Sequence, residues 1–275
     1  MHQKYRLHGG QPYTVIAIHG GPGCSGEARP FAKELAHAGY GVVEPFLLAE
    51  TFEGQISELK AAIEKNAKMP AVLVGHSYGA QLGLVFAARY PKLVRKLIMV
   101  SSAVLDSKDV EGVVQARLSR LSSGQVERLQ TARQAYKEST GATKGRAFIE
   151  LLGLIKQADS YSLIPHVSDL IVIKPELYDS VWEDLEAQRD IGELVRCGQD
   201  VQCPVVAIHG DYDPRQASAI HESLAKHVKD LQFVPIKKCG HYPWYEQYAQ
   251  ATFYEELQQH VGYTSGKKIR ENRPS

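Results

Sequence analysis

The sequence has no surplus of charge of either sign, few cysteines and no long apolar run, and each shortage removes a class of function. Across 275 residues, 32 Lys and Arg stand against 31 Asp and Glu, a formal net charge of +1. That balance leaves no electrostatic footprint for nucleic acid and no polybasic stretch for an anionic membrane surface. No apolar segment approaches the ~18 residues of a membrane-crossing helix. The opening MHQKYRLHGG lacks the apolar core of a secretory leader. The four cysteines, Cys24, Cys197, Cys203 and Cys239, include no C-x-x-C pair and are too few for a disulfide framework. Reduced, partly buried thiols in a cytoplasmic protein are therefore expected. Hydrophobic residues at 44% and charged residues at 23% suit a globular chain of one or two domains.

What is present is alternation. Short apolar runs at Tyr13–His19, Tyr40–Pro45, Ala71–Gly75 and Leu97–Ser101 read as strands. Amphipathic stretches separate them, including Phe31, Leu35 and Ala38 closed by Gly39, residues 53–68, and Tyr78–Tyr90. Fully apolar strands joined by helices predict a buried parallel sheet with crossover helices. Between about Leu105 and Cys203 helical periods take over, through Leu118/Leu121, Val126/Leu129/Tyr136, Phe148/Leu151/Leu152/Ile155 and Val181/Leu185/Gln188. A short strand-like segment at Leu170–Pro175 interrupts them. Alternation then resumes: strand Pro204–His209, helix Gln216–Val228, strand Leu231–Ile236 and a long final helix Pro243–Val261. The expected organisation is a core of residues 1–104 and 200–263, a helical cap of residues 105–199 and a flexible polar tail of residues 264–275.

Four motifs fall at the carboxyl ends of expected strands, where open α/β sheets bind ligands. Gly75-His76-Ser77-Tyr78-Gly79 has the G-x-S-x-G pattern between a strand and a helix. In that context the serine sits on a strained turn, and the next backbone N–H, that of Tyr78, opens a helix that favours anions. His19-Gly20-Gly21-Pro22-Gly23 follows the first strong strand. Gly21 is its natural oxyanion donor, because Pro22 has no N–H. His209-Gly210-Asp211-Tyr212-Asp213 and Gly240-His241-Tyr242-Pro243-Trp244 close the last two strands. A serine, then an aspartate, then a histidine is the chain order of a nucleophile, acid and base on this kind of sheet.

These motifs resemble the α/β-hydrolase superfamily over roughly residues 10–261, in particular its branch of proline iminopeptidases and related esterases. The resemblance implies an α/β fold with a mostly parallel sheet of six or seven strands and a helical cap. It implies Ser77 as nucleophile, Asp213 as acid, His241 as base, and Gly21 and Tyr78 as oxyanion donors. It favours Asp213 over Asp211, and leaves Asp106 as a minor alternative acid position. Three features differ from the iminopeptidases: about twelve residues precede the first strong strand, too few for the usual pair of leading strands, so a sheet trimmed to six or seven strands is expected, and the elbow and one turn also differ. The elbow holds His76 and Tyr78 where those enzymes hold Gly and Trp, and Glu44-Pro45-Phe46-Leu47-Leu48 stands where they carry an Arg-containing turn.

The expected activity is hydrolysis of an ester or amide acyl bond of a small substrate, with no metal or organic cofactor and no nucleic-acid or membrane partner. An aminopeptidase using Glu176, Glu183 or Glu186 to hold a substrate ammonium is the close alternative, and a non-catalytic binding module the distant one. Phe148/Leu152/Ile155 and Val181/Leu185 are candidates to line an acyl pocket. The side chain of His76 is expected to point away from Ser77. Trp244 and Tyr245 are expected to pack the last helix, and His8, His166 and His227 to lie on the surface or in loops.

Overall fold

A computed structural model of the chain describes residues 4–165 and 174–262. Its strands are β1 (Tyr5–His8), β2 (Tyr13–Ile18), β3 (Gly41–Pro45), β4 (Ala71–His76), β5 (Val94–Val100), β6 (Val205–Gly210) and β7 (Leu231–Ile236). They form one sheet of seven in the order β1-β3-β2-β4-β5-β6-β7. β1 runs antiparallel to β3, and the remaining pairs are parallel. The few residues ahead of β2 are thus enough for one leading strand at the sheet edge.

The period of two along each strand divides the core. Ile16, Leu73, Leu97 and Val205 point to one face, with α2 (Phe52–Asn66), α3 (Tyr78–Arg89) and α9 (Ala217–Ala225) packed over them. Val15, Val72, Ile98 and Val206 point to the other, under α1 (Arg29–His37) and α10 (Gln250–Gly262). Every residue of β4 and β6 is buried. A strand covered on both faces needs an unbroken apolar run, which is what these segments carry.

Between β5 and β6 lies the helical insertion: α4 (Val110–Ser119), α5 (Ser123–Glu138), α6 (Gly141–Asp159), α7 (Pro175–Asp190) and the single turn α8 (Glu193–Arg196). Ser122 and Gln125 form a reciprocal capping box at the start of α5. Phe148 of α6 stacks on Tyr136 of α5 at 5.3 Å and meets the edge of Tyr178 of α7 at 5.1 Å. Leu177, Val181 and Leu185 of α7 join the core cluster of α2 and α3. They anchor the insertion to the sheet and do not line the cavity below it. Of the expected pocket faces, Leu152 and Ile155 do line that cavity.

Other expectations are corrected. The final helix is not continuous: a turn of 3-10 helix at Pro243–Tyr245 is followed by extended Glu246, and α10 starts only at Gln250. The cause is the Glu246 carboxylate, fully buried, which accepts N–H bonds from Gly240 (2.9 Å), Tyr161 (2.8 Å) and Ser162 (2.7 Å). His8 is buried on β1, with Nε2 2.8 Å from the Glu44 carboxylate. His227 lies in the turn after α9 as expected, whereas His166, the strand-like residues 170–173 and the polar tail lie outside the described residues.

β4 and α3 approach so closely that side chains are excluded between them. A Cβ on Gly75 would stand 2.2 Å from the Gly79 carbonyl oxygen, whereas one on Gly112 of α4 would meet nothing within 4 Å. Gly75→Ala is therefore expected to destabilise the protein by about 1–3 kcal/mol, the usual cost of overpacking. Gly112→Ala is expected to stabilise it by about 0.5–1 kcal/mol through helix propensity. Urea midpoints at unchanged slope measure both.

Candidate active site

Ser77 directly follows β4, and its backbone takes φ 52 and ψ −112 as the chain turns into α3. A non-glycine residue there costs about 1–3 kcal/mol and is held by its surroundings. Ser77 N–H donates to the Val100 carbonyl (3.0 Å), and its carbonyl accepts from Ala80 N–H (3.1 Å). The strain lifts the hydroxyl off the helix axis and into a cleft at the carboxyl edge of the sheet.

There the structure brings together three residues far apart in the chain. The Ser77 hydroxyl is 3.0 Å from His241 Nε2, and His241 Nδ1 is 2.6 Å from Asp213 Oδ2. Asp213 follows β6 and His241 follows β7, so adjacent strands set their spacing. With Nδ1–H donating to the carboxylate, Nε2 is left to accept from the serine. Asp211 is exposed and accepts from Cys239 N–H at 3.3 Å. Asp106 caps the turn at Ser107–Asp109 and pairs with Lys108. Neither faces His241.

Burial alone would raise the Asp213 carboxyl, but His241, His209 and Arg215 outweigh it and hold it well below the usual carboxylate range. Arg215 N–H donates to Asp213 Oδ1 at 2.9 Å, and His209 Nε2–H donates to the Arg215 carbonyl at 2.7 Å. Burial, then the positive charge of Arg215, push the His241 imidazole down to about 4 despite Asp213. The ring is thus a neutral proton acceptor over most of the pH range.

Gly21 and Tyr78 line the same cleft as Ser77. The Tyr78 N–H is the first of α3, where no intrahelical acceptor exists. The Tyr78 ring turns the other way, its hydroxyl donating to Gln55 Oε1 at 2.8 Å. The cleft opens into a cavity of about 180 Å³ with Val110, Val113, Leu152, Ile155 and Trp182 of the insertion among its walls.

Sequence reasoning missed a layer of charges around these groups. Asp159, at the end of α6 and sealed from solvent, accepts two bonds from Arg117 of α4, both 2.7 Å, and one from Arg215 at 2.6 Å. Its backbone carbonyl accepts from His241 N–H at 2.8 Å. Burial would raise the Asp159 carboxyl, but the two guanidiniums hold it low. One residue of the insertion therefore touches the chain on both sides of the His241–Asp213 bond. No local pattern announces a contact among positions 117, 159 and 215.

His76 was also underrated. It does point away from Ser77, but its Nε2 reaches the His241 carbonyl (2.9 Å) and its Nδ1 the Glu27 carboxylate (3.2 Å). Glu27 in turn accepts from Gly20 N–H at 2.7 Å, which ties the glycine loop to the histidine loop. Burial opposes ionisation of Glu27, yet His76 carries the balance and lowers it to about 2. Trp244 meets the His76 ring edge-on at 4.6 Å and packs on Phe253 of α10 at 6.0 Å. All four cysteines are free thiols, and burial raises each, Cys203 to about 11. None is a nucleophile near neutral pH.

Comparison with known proteins agrees with this architecture. A family profile described as "alpha/beta hydrolase fold" matches residues 51–248. Human monoacylglycerol lipase ABHD6 (Homo sapiens) is 22% identical over 193 residues, 70% of this chain and 56% of that protein. The chain thus spans about half the length of that curated relative. Among solved structures, VinJ superposes with a TM-score of 0.64 at 20% identity, covering 94% of this chain and 93% of that one. The proline iminopeptidase of Mycobacterium smegmatis gives 0.60 at 16% identity, covering 94% and 93%. No helix among the described residues is long and apolar enough to cross a membrane. With a seven-stranded sheet and a family match over most of its length, the chain belongs to the α/β-hydrolase fold family.

Proposed function

We propose that the protein is a serine hydrolase that cleaves a carboxylic ester of a small acyl substrate. The observation that carries this reading is the continuous hydrogen-bonded line from Ser77 through His241 to Asp213, opening beneath a mainly apolar cavity. Residues 105–199 serve as a cap over it, and residues 1–104 and 200–263 as the catalytic core. Four free thiols suit the cytoplasm.

Ser77 Oγ attacks the acyl carbon as His241 Nε2 takes its proton. Asp213 keeps the imidazole in the accepting tautomer and stabilises the imidazolium. The carbonyl oxygen gathers charge against the N–H groups of Gly21 and Tyr78, each worth about 3 kcal/mol of barrier. His241 returns the proton to the leaving alkoxide, which departs as the alcohol. Water, deprotonated by the same nitrogen, then releases the acid and restores Ser77. The relative's printed name, a monoacylglycerol lipase, is consistent with ester chemistry. An aminopeptidase would need a free carboxylate for the substrate ammonium. Glu176 and Glu183 are not among the cavity walls, and Glu186, which is, sits beside the Arg189 guanidinium, whose positive charge would repel a substrate ammonium. Esters are therefore the favoured substrates over N-terminal proline amides.

Ser77→Ala is expected to lower kcat on p-nitrophenyl acyl esters by at least about 10³-fold and to abolish labelling by a fluorophosphonate probe, with circular dichroism unchanged. Wild-type protein that turns over esters but escapes the probe would sink the assignment.

Asp213→Asn is expected to cost about 10⁴-fold in kcat, because an amide favours the wrong imidazole tautomer. Asp211→Asn is expected to stay within about threefold, since its carboxylate is exposed and accepts from the Cys239 N–H rather than from His241. The two kcat values on one ester settle the ranking.

The pH profile follows from the depressed His241. The base works when neutral, so activity is present above its pKa and is lost as pH falls through about 4. An acid limb near that value in kcat/KM is expected, where an unperturbed histidine would give about 6.5. Arg215→Met, which removes one cause of the depression, is expected to move the limb upward.

A further inference from the structure

Three arginines, Arg117, Arg189 and Arg215, line the cavity over Ser77. Two of them are spoken for by the buried Asp159 carboxylate, at 2.7 and 2.6 Å. Arg189 of α7 is different. Its side chain is only 6% exposed, and its one ion pair among the described residues is a 3.4 Å contact from Nη2 to Glu186, whose own side chain is 50% exposed. Its Nε is buried and has no hydrogen-bond partner among the described residues. A buried guanidinium with its Nε–H unmet is costly, and an acceptor supplied from elsewhere relieves that cost.

The surroundings say which acceptor. Val110, Val113 and Val114 of α4 with Leu152 and Ile155 of α6 supply an apolar passage in the same cavity that holds Ser77. A chain of methylenes fits such walls, and a planar oxygen pair at its far end fits a guanidinium, which binds carboxylate through paired N–H donors. We infer that the substrate's acyl chain ends in a carboxylate held by Arg189, so that the protein acts on half-esters of short dicarboxylic acids.

This inference rests on the hydrolase reading above and narrows its substrate class. An ammonium or neutral chain end leaves Arg189 Nε without an acceptor, whereas a carboxylate supplies one. Glu186 does not compete strongly: its contact is long and half in water, where an ion pair is worth little.

The test is the ratio of kcat/KM values for the mono-p-nitrophenyl ester of adipic acid and for p-nitrophenyl hexanoate, which share a six-carbon acyl chain and differ at its far end. Such a ratio reads differential transition-state binding and cancels effects common to both substrates. Wild-type protein is expected to favour the half-ester by at least about tenfold. Arg189→Met is expected to bring the ratio to about one, and Arg189→Lys to an intermediate value. Adipate is also expected to bind the Ser77→Ala variant by calorimetry and to lose that binding when Arg189→Met is added, which reads the site without turnover. A wild-type ratio of one or below, or a preference that survives Arg189→Met and disappears in Arg117→Met, would overturn the inference while esterase activity and fluorophosphonate labelling left the hydrolase reading standing. Absence of both hydrolysis and labelling, with adipate still bound through Arg189, would sink the hydrolase reading and leave the carboxylate site.

Discussion

The arrangement depends on a carboxylate that cannot reach water. Asp159 is fully buried at the end of α6, and its negative charge is tolerable there because Arg117 and Arg215 both bond it. Removing both cations would strand a buried charge, a change that costs about 3–5 kcal/mol in comparable sites, whereas removing one leaves the other on the carboxylate. The same residue offers its backbone carbonyl to His241, while Arg215 continues to Asp213. The insertion and the sheet are therefore joined electrostatically at the point where the serine, histidine and aspartate meet. Burial does most to lower the basicity of His241, and Arg215 is its largest charged influence after that.

A second chain of contacts runs on the other side of the histidine. Gly20 N–H, Glu27, His76 and the His241 carbonyl form a relay from the loop after β2 to the loop after β7. These loops leave strands that are not neighbours, since β4, β5 and β6 lie between β2 and β7 in the sheet. The sheet sets the coarse spacing of the strand ends, and side-chain bonds of this kind set the fine spacing. Hydrogen-bond distances of 2.6 to 3.0 Å through Ser77, His241 and Asp213 require both.

Most of the sheet was legible because its signal is local. β2, β4 and β6 carry apolar residues toward both faces, and Gly75 and Gly79 mark where α3 comes closest to the strand ends beside it. The candidate site residues carried a related signal: each sits in or beside a glycine-containing turn that follows a strand. What could not be read is pairwise and distant. Nothing around Glu246 foretells three backbone N–H donors converging on it and breaking the expected helix. Nothing in the first eight residues foretells that His8 meets Glu44 in the sheet. Val181 and Leu185 had the right amphipathic spacing, but periodicity gives a buried face without saying what it is buried against. The structure sets it against α2 and the core rather than the cavity.

The Glu246 turn also bears on how freely the insertion can be exchanged. Its carboxylate belongs to the core, yet two of its three donors, Tyr161 and Ser162, belong to the chain leaving α6. Asp159 reaches back in the other direction, from the insertion to Arg215 of the core. The insertion is thus stitched to the sheet by reciprocal polar contacts within four residues of sequence, and it is not a detachable module. A segment transplanted from another member of the family would have to bring an acid at position 159 and two free amides after it, or leave charges on both sides of the seam without partners. Of the residues of α4 and α5, Arg117 is the one that takes part in these seam contacts.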